Sequence, residues 1–197
     1  MKIRHNLDIE KEMRNKNEFW KYWEISEEIA KRLSPLIVNK YKDKLNRLGG
    51  TLDTTWNLQL PSILYCLNGK LKGKKILDLG CGSYPTTDGM FMSWQPWLCR
   101  ALLEIESKPI GIDIGNLSFE EFEHYQLDLT KPDALDFLPD KSIDLANASQ
   151  LVNSPFLFRY CRKLGYGEIN LLETLTPQLE RIIRPEGVLI YSDDRFI

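Results

Sequence analysis

Three aspartates that close short apolar runs, with two glycines just after the first, are the residues of this chain best suited to hold a ligand. The run Lys74-Lys75-Ile76-Leu77-Asp78-Leu79-Gly80-Cys81-Gly82-Ser83 reads as a buried strand ending in an acidic residue and a tight glycine turn. Its apolar core suits a strand covered on both faces, as in a parallel sheet. Gly80 and Gly82 let the backbone take positive φ and approach a ligand where a Cβ would clash. Asp78 falls at the carboxyl end of the strand, where open α/β sheets take their ligands. A second apolar run, Pro109–Gly115, carries Asp113, and a third, His124–Thr130, carries Asp128. An ionised carboxylate accepts charge-assisted hydrogen bonds from both hydroxyls of a vicinal diol. A carboxylate on the next strand tip suits an exocyclic amine. Either aspartate alone serves as readily in a turn or helix cap; two in succession after a glycine turn favour a ligand.

The elements that must position these residues follow in a regular order. Ser142–Ala148 is a fourth apolar run. Helical text from about Glu168 to Arg184 leads through Pro185-Glu186-Gly187 into a fifth, Val188–Asp193. Strands alternating with amphipathic segments predict an α/β fold over residues 71–197: a doubly wound, mostly parallel, Rossmann-like sheet of five strands. Residues 1–70 read as an N-terminal helical extension. Asn6 or Asp8 caps a first helix carrying Phe19, Trp20 and Trp23, and Ser34-Pro35 opens a second, ended by Gly49-Gly50. Thr55-Trp56-Asn57 or Ser62 opens a third that closes near Gly69.

With these runs on the page, the chain resembles the class I S-adenosylmethionine-dependent methyltransferases. "ILDLGCG", "GIDIG", "QLDLT", "SIDLANASQ" and "IIRPEGVLIYSD" look like that family's first five strand motifs in order, over roughly residues 70 to 194. The resemblance implies S-adenosylmethionine as cofactor and S-adenosylhomocysteine as product. It places Asp78, Gly80, Cys81 and Gly82 beside the methionine part, and Asp113 with Ile114 at the ribose. Asp128 and Leu129 fall at the adenine, and Ala148, Ser149 and Gln150 near the sulfonium. Asn147 and Gln150 are then placed to orient an acceptor, and the helical extension becomes a lid with Trp56 and Tyr22 on the substrate side. No catalytic residue and no metal site emerges. Methyl transfer is an in-line displacement that alignment can accelerate without a general base.

Departures from the family pattern qualify the reading. Pro85 stands where a third glycine is common, and a longer insert, Thr86–Trp97, follows it. A dinucleotide fold wants G-x-G-x-x-G and an acidic residue about 20 positions on, which this chain lacks; a phosphate loop would need Gly-Lys-Ser/Thr after the turn. Asn153-Ser154-Pro155-Phe156 lies too far beyond Asp144 for the Asn-Pro-Pro-Tyr motif of amino-methyltransferases. The family sheet has seven strands, and the fifth run here comes just before Ile197. An unpaired edge on that strand would need cover, from the N-terminal region or from a second copy in a homodimer.

Composition narrows the class further. Hydrophobic content of 43% and charged content of 27% suit a globular chain, and no apolar run reaches the ~20 residues of a membrane span. The four cysteines, Cys66, Cys81, Cys99 and Cys161, lack C-x-x-C spacing, which suits the reduced cytoplasm. Residues 1–75 carry 16 Lys and Arg against 9 Asp and Glu, whereas the remainder is acidic. The basic charges are interleaved with acids, as on a solvated helix face, so nucleic acid is a possible partner but not the favoured one. The expected function is methyl transfer to a small molecule. The alternatives are a non-catalytic cofactor-binding or partner subunit, and a nucleic-acid or protein methyltransferase.

Overall fold

The computed structural model describes residues 1–42, 52, 55–83, 95–149, 151–152, 155–166 and 169–192. Gln150, Asn153, Ser154, Gly49-Gly50 and the insert 84–94 lie outside the described residues. Six strands form one sheet: β1 (Lys2–His5), β2 (Lys75–Leu79), β3 (Lys108–Asp113), β4 (Glu123–Gln126), β5 (Ile143–Ala148) and β6 (Ile183–Tyr191). Their spatial order is β1-β6-β5-β2-β3-β4, and every pairing is parallel. The expected α/β, Rossmann-like class is therefore present, with six strands rather than five.

The additional strand comes from the N-terminal region, which was expected to be helical throughout. Lys2, Ile3, Arg4 and His5 pair with Val188, Leu189, Ile190 and Tyr191. They cover the edge of β6, so that edge needs no second copy. The alternation that marks an edge strand is too short in four residues to be separated from the helix that begins at Asn6. β6 also starts earlier than expected, at Ile183. Its register against β5 jumps from Ile143↔Ile183 to Leu145↔Val188, so Arg184–Gly187 bulge instead of forming a connecting loop.

Helices cover both faces. On one lie α1 (Asn6–Asn15), α2 (Phe19–Tyr41), α3 (Leu60–Cys66) and α4 (Trp97–Glu104), packed over Ile76, Leu145, Val188 and Ile190. On the other, α6 (Leu171–Ile182) and the residue 134–138 turns pack on Leu77, Leu79, Ile112, Ala146 and Leu189. Between them in the chain is α5 (Pro155–Lys163). A π-helix, Thr55–Gln59, runs directly into α3.

Local chemistry explains most boundaries. His5 caps α1, its ring accepting from the Leu7 N–H at 3.2 Å. Asn170 caps α6, accepting from the Glu173 N–H at 3.2 Å. α3 ends where Asn68 and Gly69 turn left-handed (φ 51° and 74°) and the Gly69 N–H reaches back to Leu64. Pro35 does not open a new helix; it lies inside α2. An interior proline costs about 3 kcal/mol, but the buried stripe Tyr22, Ser26, Leu33, Ile37 and Tyr41 continues through it. Burying an aliphatic or aromatic side chain contributes roughly 1.5–3 kcal/mol, so the stripe outweighs the break.

Candidate functional site

The carboxyl edge of β2, β3 and β4 brings the sequence-predicted aspartates and glycines together. Gly80 and Gly82 both have positive φ, 68° and 94°. The Gly80 and Cys81 N–H groups bond to Ile112 O at 2.8 and 3.2 Å, folding the turn against the tip of β3. Asp113 closes β3, and its carboxylate accepts from the Gly82 N–H (3.0 Å), the Ser83 hydroxyl (2.8 Å) and the Gly115 N–H (3.0 Å). One tip further, the Leu127 N–H bonds to Asp113 O at 2.9 Å, which sets Asp128 beside it. Neighbouring strands lie about 4.8 Å apart, so the tips of β2 and β4 are separated by roughly a nucleoside's width.

Asp128 lies two residues beyond β4 rather than within it. Its Oδ1 accepts from the Thr130 N–H (3.0 Å) and hydroxyl (2.6 Å), and its Oδ2 from the Tyr160 hydroxyl of α5 at 2.9 Å. Burial, with Asp128 as hydrogen-bond partner, pushes the Tyr160 phenol up to about 12, so it donates at neutral pH. A carboxylate has about four lone-pair sites. Asp113 and Asp128 each keep one after these contacts, and the Ser83 hydroxyl is a rotor that can release a second. Gly80, Asp113, Ile114 and Asp128 are all partly exposed, whereas Cys81, Gly82 and Leu129 are buried.

Asp78, expected beside the methionine part of a cofactor, lies near the carboxyl end of β2 and is buried. It is 3% exposed, with its Oδ1 accepting from Asn147 Nδ2 at 2.7 Å and its Oδ2 contacting the Cys99 thiol at 3.7 Å. It ties β2 to β5 and α4 beneath the glycine turn. Burial pushes its carboxyl up to about 7, against the lowering bonds from Asn147 and Cys99. Asn147 is wholly buried and Ser149 donates to its Oδ1 at 2.7 Å. Asn147, Ala148 and Ser149 thus form the buried tip of β5. Trp56 lies in the π-helix, in the core on the α1–α4 face. Tyr22 is not brought to the tips. It meets Tyr65 edge-on at 5.5 Å, near the carboxyl end of α3, because the register of the α2 stripe turns it inward there.

The edge also holds residues that sequence reasoning passed over. A Cβ built on Gly80 would meet Leu151 Cδ1 at 2.8 Å, so this glycine admits a leucine as well as a turn. Ser83 directly after the turn donates its hydroxyl to Asp113. Thr130 and Tyr160 fix Asp128; the Asp128–Thr130 spacing signals such a turn, but nothing local marks Tyr160. His124 is in β4 near the opposite edge, its ring on Phe122 O at 2.8 Å. Among the described residues, no three His, Cys, Asp or Glu side chains gather as a metal site. A groove of about 520 Å³ bounded by Ile25, Ile29, Leu64, Gly69–Lys72 and Ile105 lies before β2 and β3. It is on the amino edge, away from the carboxylates.

Neither a protein-family model nor a curated protein matches the chain.

Proposed function

We propose that this chain is an S-adenosylmethionine-dependent methyltransferase acting on a small molecule. The observation that carries the reading is the Asp113 carboxylate, anchored by the glycine turn of β2 at the edge where Asp128 closes the neighbouring tip. In this reading the spare lone pairs of Asp113 hold the ribose hydroxyls, with Ser83 rotating to share them. The free position on Asp128 accepts the adenine amine. Leu151 moves off Gly80 when the methionine portion enters. The remaining chemistry is alignment of a nucleophile with the sulfonium methyl, which needs dryness and orientation more than a protein base.

Calorimetry with S-adenosylmethionine tests the proposal. Wild type is expected to bind, and Asp113→Ala to bind at least about tenfold more weakly, the loss of one charge-assisted contact pair. Equal heats from both proteins would remove Asp113 from the site. A second reading, cofactor binding without transfer, is favoured by Leu151 packing on Gly80. It would be supported by tight binding with no methyl loss from labelled donor across acceptor panels.

A further inference from the structure

The connection from β5 to β6 takes a detour that the sheet does not require. Strand order puts β6 on one side of β5, and β2, β3 and β4 on the other. A chain bound for β6 has no topological need to visit the tips of β2 to β4, yet this one touches them. Leu151, shortly after β5, lies on the glycine turn: its Cδ1, Cβ and Cγ are 2.8, 3.2 and 3.3 Å from the position of a Cβ on Gly80. Tyr160 of α5 donates to Asp128 Oδ2 at 2.9 Å, just past β4. β5 and β4 are separated by β2 and β3, or about 14 Å at the usual strand spacing. Tyr166 stays at the same end, its hydroxyl accepting from Lys131 Nζ at 2.8 Å with the ammonium 5.3 Å from its ring centre.

Local chemistry fixes where the detour stops. Gly165 takes φ 74°, its N–H bonds to Arg162 O at 3.1 Å, and the Tyr166 N–H bonds to Cys161 O at 2.9 Å. This pair of bonds is a Schellman end, and it turns the chain back after α5. Packing holds the helix less firmly. Leu157 rests on the core and Cys161 is buried, but Phe158, Leu164 and Tyr166 are 47%, 44% and 40% exposed. Segments with little buried apolar surface open at a fraction of the cost of global unfolding.

Both contacts of the detour fall on groups that the cofactor reading gives to the ligand. The Leu151 side chain lies on Gly80, where the methionine portion would enter. The Tyr160 O–H is a donor on Asp128, as an adenine amine would be. Its acceptor is a carboxylate, so the bond is charge-assisted and a strong competitor.

We propose that Leu151 and α5 form a self-occluding strap, which lies on the nucleoside site in the free protein and lifts from Gly80 and Asp128 to admit the ligand. The ligand's identity rests on the S-adenosylmethionine reading; the opening of the strap does not. A site competent only when open binds with its affinity reduced by the open fraction. Loosening the strap therefore strengthens binding. If Tyr160 instead positioned Asp128 for adenine, its loss would weaken binding.

Two measurements on the full chain test this. In calorimetry, Tyr160→Phe is expected to bind S-adenosylhomocysteine about fivefold or more tightly than wild type. Should that variant not fold, Tyr166→Ala, which loosens the strap without touching Asp128, is expected to tighten binding in its place. Without ligand, amide hydrogen exchange over residues 157–164 is expected to rise about tenfold in the same variant, with α6 unchanged. Exchange that does not rise, or that rises equally in α6, would overturn the strap. So would S-adenosylhomocysteine binding that is measurable but equal or weaker in the variant. Faster exchange of α5 alone, with no S-adenosylhomocysteine bound by wild type or variant, would overturn the cofactor reading and keep the strap.

Discussion

Asp78 is a buried carboxyl whose ionisation opposes this fold. Its pKa lies near 7 in the folded chain against an ordinary 3.8, chiefly because burial penalises the charged form. Between those values the folded carboxyl holds a proton that the unfolded chain has released. Its contribution to stability is thus complete below the lower value and is lost as pH rises through about 7. Asp78→Asn keeps the acceptor for Asn147 and removes the ionisation, so its Tm should match that of wild type below the ordinary value of 3.8 and exceed it by a margin that grows as pH rises to about 7. Thermal scans across pH check this; parallel curves for both proteins would refute it. Asp144 behaves oppositely. Burial raises its pKa, but the Lys75 N–H, Lys74 and Arg184 outweigh that and hold it below the usual range. Its contribution is present above the ordinary carboxylate value and fades in acid. The Arg100–Glu120 pair makes a third case: Glu120→Ala leaves a buried guanidinium without its carboxylate, expected to cost about 3–5 kcal/mol in urea unfolding. The chemistry-bearing aspartates were legible in the sequence because strand-end position and residue type suffice to nominate them. Tyr160 on Asp128 was not, since that contact joins residues 32 apart, on a helix with no motif of its own.

At the scale of elements, the β2 turn combines two constraints at one glycine. Gly80→Ala would place a Cβ at φ 68° and 2.8 Å from Leu151. Left-handed backbone costs roughly 1–2 kcal/mol and overpacking about 1–3 kcal/mol. Gly80→Ala should therefore destabilise the chain, and Leu151→Ala in the same background should recover the steric part but not the backbone part. A double-mutant cycle by chemical denaturation measures the coupling, and strict additivity would show that the two residues do not share that space. β2, β3 and β5 were legible because each is a buried, mainly apolar run, whereas β4 is the polar stretch Glu123–Gln126, just before the leucines that nominated it. β1 was not legible: four residues carry too little pattern, and its partner β6 is at the other end of the sequence. Pro35 misled for a related reason, as proline chemistry is local while the stripe that overrides it is held by tertiary packing. Deleting Lys2–His5 should uncover the β6 edge and produce concentration-dependent association in sedimentation. A monomer of unchanged Tm would show that β1 is dispensable.

At the scale of the molecule, one parallel sheet presents two different edges. The amino edge carries the groove between Ile25, Leu64, Leu71 and Ile105, while the carboxyl edge carries the glycine turn and both partly exposed aspartates. Sheets of this kind take ligands at the carboxyl edge where strand order reverses, here beside β2, with β3 on one side and β5 on the other. None of the described helices is long and apolar enough to cross a membrane. The direct measurement is an amide ¹H–¹⁵N titration of the full chain with S-adenosylhomocysteine. The account predicts that Gly80–Ser83, Asp113–Gly115 and Asp128–Thr130 shift together and saturably, with Leu64 and Leu71 unmoved. Shifts confined to the amino-edge groove, or none at any of the three tips, would contradict it.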